Sequence, residues 1–419
     1  MFLSLLLAFL AVLSVSSDVS AQEQAPQAAW AQFTADGAAE ARVAVSGAAC
    51  PTILVDGATQ PMRKRSGTDR RFPITLCSAV LPSGVTAASV RGARIPIPVV
   101  APQRILVIGD TGCRIQGTNV QACNDLSKWP FPKIAATAAA LKPDLVIHVG
   151  DYLYRESPCP RNNAGCEGTP WGDNWATWRA DFFAPAAPLL AAAPWIIVRG
   201  NHEDCMRSGP GWLRLLGPSP FDPAAPCITH IAPYEVPFDL MRLVVMDDAD
   251  APDVSVEKAL IPSYRREFRA LSTHSGPPRW LLLHRPIWGV VTGPLGVPIG
   301  GNRTLLASLQ RDGIPDAVSL MLSGHIHSFE AINYSGNAPP QIIAGDSGDK
   351  LDRTPKNLRG TLFPGRSDVE VKDGISLPGF GFLLMTRNPA GWSLGLYRAD
   401  GRKDWECLLA NGRLDCPTP

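Results

Sequence analysis

The chain is constrained most by a pattern written five times: an apolar run, a break, and then a carboxylate, an amide or an imidazole. Its fullest copy is Val146-Ile147-His148-Val149-Gly150-Asp151-Tyr152-Leu153-Tyr154. The β-branched run reads as a buried strand, Gly150 breaks it, and Asp151 stands where a strand delivers a side chain to the rim of a sheet. Ile105 to Asp110, Trp195 to His202, Trp280 to His284 and Ser319 to His327 repeat the pattern. One block alone says little, because a lone Asp after a strand is often a helix cap. The ordered set Asp110, Asp151, Asn201, His202, His284, His325 and His327 says more. In open α/β sheets ligands collect outside the carboxyl ends of the strands. Oxygen and nitrogen donors gathered at one edge are what a metal centre requires.

Length and charge bound the rest. The 419 residues leave room for two or three domains, or one small and one large. A net charge of +1 argues against a nucleic-acid partner and against an anionic membrane surface, so any attraction for phosphate is local. Phe2 to Val15 is almost continuously apolar, and Val19-Ser20-Ala21 offers small residues for cleavage, which predicts a signal peptide over residues 1–21. Its start lacks Lys and Arg. The alternative, an uncleaved anchor, needs a longer run, and Asp18 interrupts the end of this one. No second stretch approaches spanning length, so a soluble, secreted or periplasmic protein without stable membrane insertion is expected. Ten cysteines agree with export. They fall in local pairs: Cys50 with Cys77, Cys113 with Cys123, Cys159 with Cys166, Cys205 with Cys227, Cys407 with Cys416. Spacing does not determine connectivity, but each pair lies in a Gly/Pro-rich loop, which favours nearest-neighbour bridges.

Along the chain, residues 22 to about 40 are Ala/Gln-rich and expected to be loosely ordered. Short alternating segments punctuated by Gly and Pro then predict a small β-domain over 22–101. Its basic run, Arg63-Lys64-Arg65 with Arg70-Arg71, reads as a solvated loop in preference to an anion site. From residue 102 onward, apolar runs alternate with helical segments, an α/β pattern. Helices are expected over Ile134–Leu141, Trp175–Leu190, Val256–Leu271 (with Pro262 starting or kinking it) and Thr304–Gln310. Strands return near the C-terminus.

The blocks Gly109-Asp110-Thr111-Gly112, Gly150 to Tyr154, Gly200-Asn201-His202-Glu203, His284 and Gly324-His325-Ile326-His327 resemble, in order, those of the calcineurin-like metallophosphoesterase superfamily. Most of that superfamily has His two residues after the first Asp. Here Gly112 occupies that position and Tyr154 ends the second block, an exchange that marks the purple acid phosphatase-like branch. The resemblance implies a four-layer α/β/β/α metallophosphoesterase sandwich, preceded by the small all-β domain. It also implies two metal ions. Asp151 would bridge them; Asp110, Tyr154 and His327 would hold the first, and Asn201, His284 and His325 the second. A phenolate suits Fe(III), and amide with imidazole suits a divalent ion such as Fe, Zn or Mn. A metal-bound hydroxide would then attack the phosphorus in line.

By the same resemblance His202 lies near the phosphate, protonating the leaving oxygen or holding a phosphoryl oxygen. Glu203 is a candidate to orient it, or a surface carboxylate. His148 reads as a satisfied core residue, and His230 and His274 as solvent-facing. Arg285 follows His284 where relatives commonly carry another site His; it is a candidate phosphate contact or a structural residue. Asp247 and Asp248 either support the site or cap a helix. The function expected is a secreted phosphatase acting on small phosphomonoesters. The alternatives are a phosphodiesterase or nucleotide pyrophosphatase on the same centre, and a non-catalytic phosphate-binding module. The complete ligand set argues against the last.

Overall fold

A computed structural model describes residues 25–272, 276–293, 296–309 and 313–417. The expected signal peptide, His274 and Gln310 lie outside the described residues. Two sheets face each other. At the centre of the first, eleven-stranded sheet the strands Arg104–Ile108, Leu145–His148 and Trp195–Ile197 run parallel. Gly381–Asn388, Gly391–Arg398 and Lys403–Ala410 extend it antiparallel on one side. The second sheet has eight strands, with Arg242–Val245, Arg279–Leu282, Val318–Ser323 and Gln341–Ala344 parallel.

The apolar runs lack a polar alternate because both faces of each sheet are covered. Ile105, Val107, Leu145 and Ile147 share a buried cluster with Leu243, Val245, Leu282 and Leu322, the core between the sheets. Their neighbours Leu106, Ile108 and Val146 join Phe131, Ile134, Trp178 and Phe182 of the outer helical layer. On the second sheet Leu281, Leu283 and Met321 join Tyr264, Phe268, Leu305 and Leu306. The order is helix, sheet, sheet, helix, as expected.

Helices Phe131–Ala140, Ile261–Ala270 and Arg303–Leu309 form near their expected places, and Pro262 sits in the first turn of its helix and does not kink it. Trp175–Leu190 is not one helix. It runs as an α-turn over Trp175–Trp178, a π-helical turn over Arg179–Phe183 and a second α-turn over Ala187–Leu190. The aromatics Trp178, Phe182 and Phe183 are core, and Asp181 between them is fully buried. Its role appears below.

The N-terminal region is all β, with two departures from expectation. Ala28–Phe33, inside the Ala/Gln-rich stretch, is an ordered strand. It pairs with Ala39–Val45 and, through Gln32 opposite Trp195, with the centre of the first sheet. Four N-terminal strands therefore continue that sheet, and a four-stranded sheet of residues 52–55, 58–61, 88–90 and 93–95 stands beside it. The basic run is solvated at Arg63, Lys64, Arg70 and Arg71, as expected, but Arg63–Ser66 is an edge strand and not a loop, and Arg65 donates to the carbonyls of Leu213, Arg214 and Gly217. Buried Arg42 donates to Leu215 and Gly217, and Gln32 to Leu216. These carbonyls end the helix Gly209–Leu215, where backbone acceptors lack partners of their own. Three N-terminal side chains thus fasten the far end of the segment that begins at Asn201.

All five local disulfides form as expected, and no described cysteine is free. No helix among the described residues is long and apolar enough to cross a membrane. Cys205–Cys227 closes the loop that follows Asn201, so replacing both cysteines by serine is expected to lower the unfolding free energy by about 2–4 kcal/mol. Denaturant titration of oxidised protein measures this, and an unchanged midpoint would exclude a structural role for the bridge.

Candidate metal centre

The five blocks do end at one edge. Asp110 follows Arg104–Ile108, Asp151 follows Leu145–His148, and Asn201 and His202 follow Trp195–Ile197, all from the first sheet. His284 follows Arg279–Leu282, and His325 and His327 follow Val318–Ser323, from the second. Asp110, Asp151 and His325 have φ of 55°, 60° and 70°. That region costs an L-residue roughly 1–2 kcal/mol. Three such residues at one rim show the chain bent sharply off each strand, which turns the side chains together.

Asp151 lies at the middle of the group. Its Oδ2 is 2.7 Å from the Tyr154 hydroxyl on one side and 3.2 Å from His284 Nε2 on the other. On the first side Tyr154 OH is 3.0 Å from Asp110 Oδ1 and 3.1 Å from His327 Nε2. On the second, His284 Nε2 is 3.1 Å from Asn201 Oδ1. Asp151, His284 and His325 each present one ligand atom within 4.8 Å of the others.

Backbone groups aim these side chains. His284 Nδ1 donates to Val149 O and His327 Nδ1 to Lys350 O, both at 2.8 Å, so each ring turns Nε2 to the centre. His325 differs: its Nε2 is 2.9 Å from Asp253 Oδ2, which leaves Nδ1 to offer. Asp151 Oδ1 accepts from His202 N, and Asp110 Oδ2 from His325 N. The electrostatics follow from crowded acids. Burial, then the Asp110, Asp151 and Asp349 carboxylates, push the Tyr154 phenol well above its usual value. Burial works to lower His284 and His327, but the carboxylates beside them prevail and push them up to about 9 and about 10. The cluster draws positive charge.

Tyr154 is held by a device that the sequence did not reveal. A Cβ on Gly112 would meet Tyr152 O at 2.7 Å, Tyr154 Cδ2 at 2.8 Å and Asp181 Oδ2 at 2.9 Å. The phenol ring therefore fills the space that a side chain at 112 would need, and the exchange of His for Gly with Tyr is one steric event. Asp181 comes from the π-helical turn. It accepts from Cys113 N and Tyr154 N at 2.9 and 2.8 Å and pairs with Arg155 Nε at 2.7 Å. Such turns often occur at functional sites.

The remaining candidates resolve as follows. His202 is buried, its ring 3.9 Å from that of Tyr154, and its Nε2 is 3.9 Å from Asp151 Oδ2. Its Nδ1 lies 2.6 Å from Glu156 Oε1, close but not aligned as a good hydrogen bond, so that contact is chiefly electrostatic. Glu203 is neither partner of His202 nor a surface group. It is fully buried and accepts from the backbone N–H of Tyr152, Leu153 and Gly200, with burial pushing it up to about 8. His148 is a core residue as expected, bonded to Thr111 Oγ1 and stacked on Tyr152. His230 is half-buried and paired with Glu267, not solvent-facing. Arg285 pairs with Asp253 and lies 3.2 Å from His325 Nε2. Asp248 accepts from His284 N and Arg285 N, and Asp247 from Ile231 N and Arg199; neither caps a helix.

Two carboxylates, a phenol, an amide and three imidazoles, converging in a buried site, fit bound cations by donor chemistry. A four-layer sandwich carrying this set at its strand ends defines a metal-dependent hydrolase of phosphoric esters. Residues 103–329, more than half the chain, match the model of the calcineurin-like phosphoesterases, and the chain belongs to that family. No curated protein matches it by sequence. Among solved structures the chain is similar in fold to the purple acid phosphatase PPD1 from yellow lupin (Lupinus luteus) seeds. The identity is 15%, the TM-score is 0.57, and 93% of this chain and 76% of that one are covered. It is also similar to PhoD, at 11% identity and TM-score 0.53, over 94% of this chain and 92% of that one.

Gly112→Ala tests the steric account of Tyr154. All three contacts are with anchored atoms, so the variant is expected to lose about 1–3 kcal/mol of stability through overpacking. Thermal unfolding against wild type is the measurement, and an unshifted midpoint would refute the packing described.

Proposed function

We propose that the protein is an exported two-metal phosphatase of the purple acid phosphatase type, hydrolysing phosphomonoesters. The observation that carries this is the placement of Asp151 Oδ2 between two donor groups, 2.7 Å from the Tyr154 hydroxyl and 3.2 Å from His284 Nε2. Asp110, Tyr154 and His327 would hold one ion and Asn201, His284 and His325 the other, with Asp151 available to both. The Tyr154 side, rich in hard anionic oxygen, suits Fe(III); the amide and imidazole side suits Fe, Zn or Mn as a divalent ion. When bound, two such ions supply Lewis acidity to both sides of an in-line displacement and a nucleophile from water at near-neutral pH. Five disulfides and the leader-like N-terminal sequence support export.

The protein's own groups do the rest. Glu156 Oε1 lies 2.6 Å from His202 Nδ1, and the opposite nitrogen faces the centre. His202 is thus set to give a proton to the leaving oxygen. Glu203 and Asp181 hold the backbone around Tyr154, and Asp248 holds that of His284, so the donors keep their places through turnover.

Metal analysis of purified protein, with hydrolysis of a monoester and of a diester, tests the reading. Two ions per chain, faster monoester hydrolysis and a visible absorption band lost in Tyr154→Phe are expected. A colourless wild type with stoichiometric ferric iron removes the purple-type assignment, and a faster diester favours the phosphodiesterase alternative. His202→Ala is expected to slow turnover by about 10²–10⁴-fold with metals retained. That loss should shrink for esters with weakly basic leaving groups; an equal loss across leaving groups would assign His202 to holding the phosphoryl oxygen.

A further inference from the structure

Beside His325 opens a groove of about 460 Å³, inside the usual range for a small-molecule site. His325 and Ile326 form the wall it shares with the metal centre. Its other walls are unusually apolar for a surface feature: Val254, Pro286, Val291, Ile299, Leu362 and Pro364. Val254, Ile299 and Leu362 are 84%, 48% and 57% exposed. Several large apolar side chains left in water around one groove mark a binding surface.

Among the polar side chains in the groove Asp253 and Asn302 are committed, while Arg303 and Asp352 stand exposed. Asp253 accepts from Asn302 Nδ2 through Oδ1, and through Oδ2 it meets His325 and Arg285. Asn302 also donates to Ala251 O and accepts from Leu305 N. Asp352 accepts from His327 N. A polyhydroxylated group laid on the apolar walls would lose its water there without gaining partners, which is costly. The charged lining residues Asp253, Asp352 and Arg303 sum to a formal −1, which offers a further anionic group no net attraction.

We propose that this groove receives the leaving-group side of the substrate, and that the substrate is a phosphomonoester of an uncharged, apolar alcohol or phenol. The inference rests on the phosphatase reading of the adjoining centre and adds the identity of the ester. The phosphoryl group sits at the metals, and the carbon portion extends past His325 over Ile299 and Leu362. Selectivity then comes from apolar contact, where a single methylene is worth about tenfold.

The test compares benzyl phosphate with glycerol 3-phosphate, both esters of weakly acidic alcohols, on metal-replete enzyme. Wild type is expected to favour the benzyl ester in kcat/KM by at least about tenfold. Ile299→Asp and Leu362→Asp are expected to collapse that ratio toward unity, with unfolding midpoints confirming that both variants fold. Binding of benzylphosphonate against methylphosphonate supplies a readout independent of turnover. Equal use of the two esters, a preference that survives both substitutions, or equal affinity for the two phosphonates would overturn the proposal. The last is the result expected if the groove serves a protein partner. If no ester turns over and benzylphosphonate still binds at least about tenfold tighter, the catalytic reading has failed and the groove assignment has stood.

Discussion

The structure around the site depends on one buried carboxylate. Asp151 uses one oxygen to accept from the His202 amide and turns the other toward Tyr154 and His284 at once. Burial favours its neutral form, but His284 and His202 more than compensate and hold it ionised, well below the usual carboxylate range. An unpaired charge at such depth is prohibitive, so the surroundings have to supply positive charge and donors. Much of the nearby architecture does this: the two histidines, the His202 amide and the bend at φ 60° that brings the side chain inward.

A second constraint is stiffness. The Asn201 loop starts at a central strand and is closed by Cys205–Cys227, and its far end is held by Arg42, Arg65 and Gln32 from the N-terminal strands. The N-terminal region therefore does structural work for the catalytic rim. The guanidinium groups cap a helix C-terminus where several carbonyls converge, a place that favours cations.

The site was more legible in the sequence than the scaffold around it. A metal ligand must be a particular residue type at a strand end, so Asp110, Asp151, Asn201, His284 and the His325/His327 pair stand out against apolar runs. The two-sided burial of those runs also carries the α/β reading. What was not legible depends on long-range partners. Ala28–Phe33 reads as loosely ordered because Ala and Gln carry little strand signal, yet Gln32 becomes structural once Leu216 supplies a buried carbonyl. Asp181 carries no signal of its own in the sequence; its role comes from the π-helical turn that sets it against Cys113 N and Tyr154 N. Glu203 was misassigned because adjacency to His202 suggested a partnership, while the chain turns its carboxylate to three backbone amides. Glu156, five residues past Asp151, was missed for want of any local signal.

The donors are divided between the two sheets. Asp110, Asp151, Tyr154 and Asn201 belong to the first, and His284, His325 and His327 to the second. The packing between the sheets is mainly apolar, of the kind formed by Ile147, Leu282 and Leu322, with a few polar ties such as Tyr234 to Ile197 O and Asn333 to Leu414. Apolar packing resists separation but is weakly directional, so the lateral offset of the sheets rests on those few ties and on the rim. A cation held by donors from both sides would act as a rivet through the seam. The spacing between the two donor sets and the registry of the whole sandwich are then a single mechanical quantity: a core substitution far from the rim that lets one sheet slide shifts the donors of one sheet against those of the other.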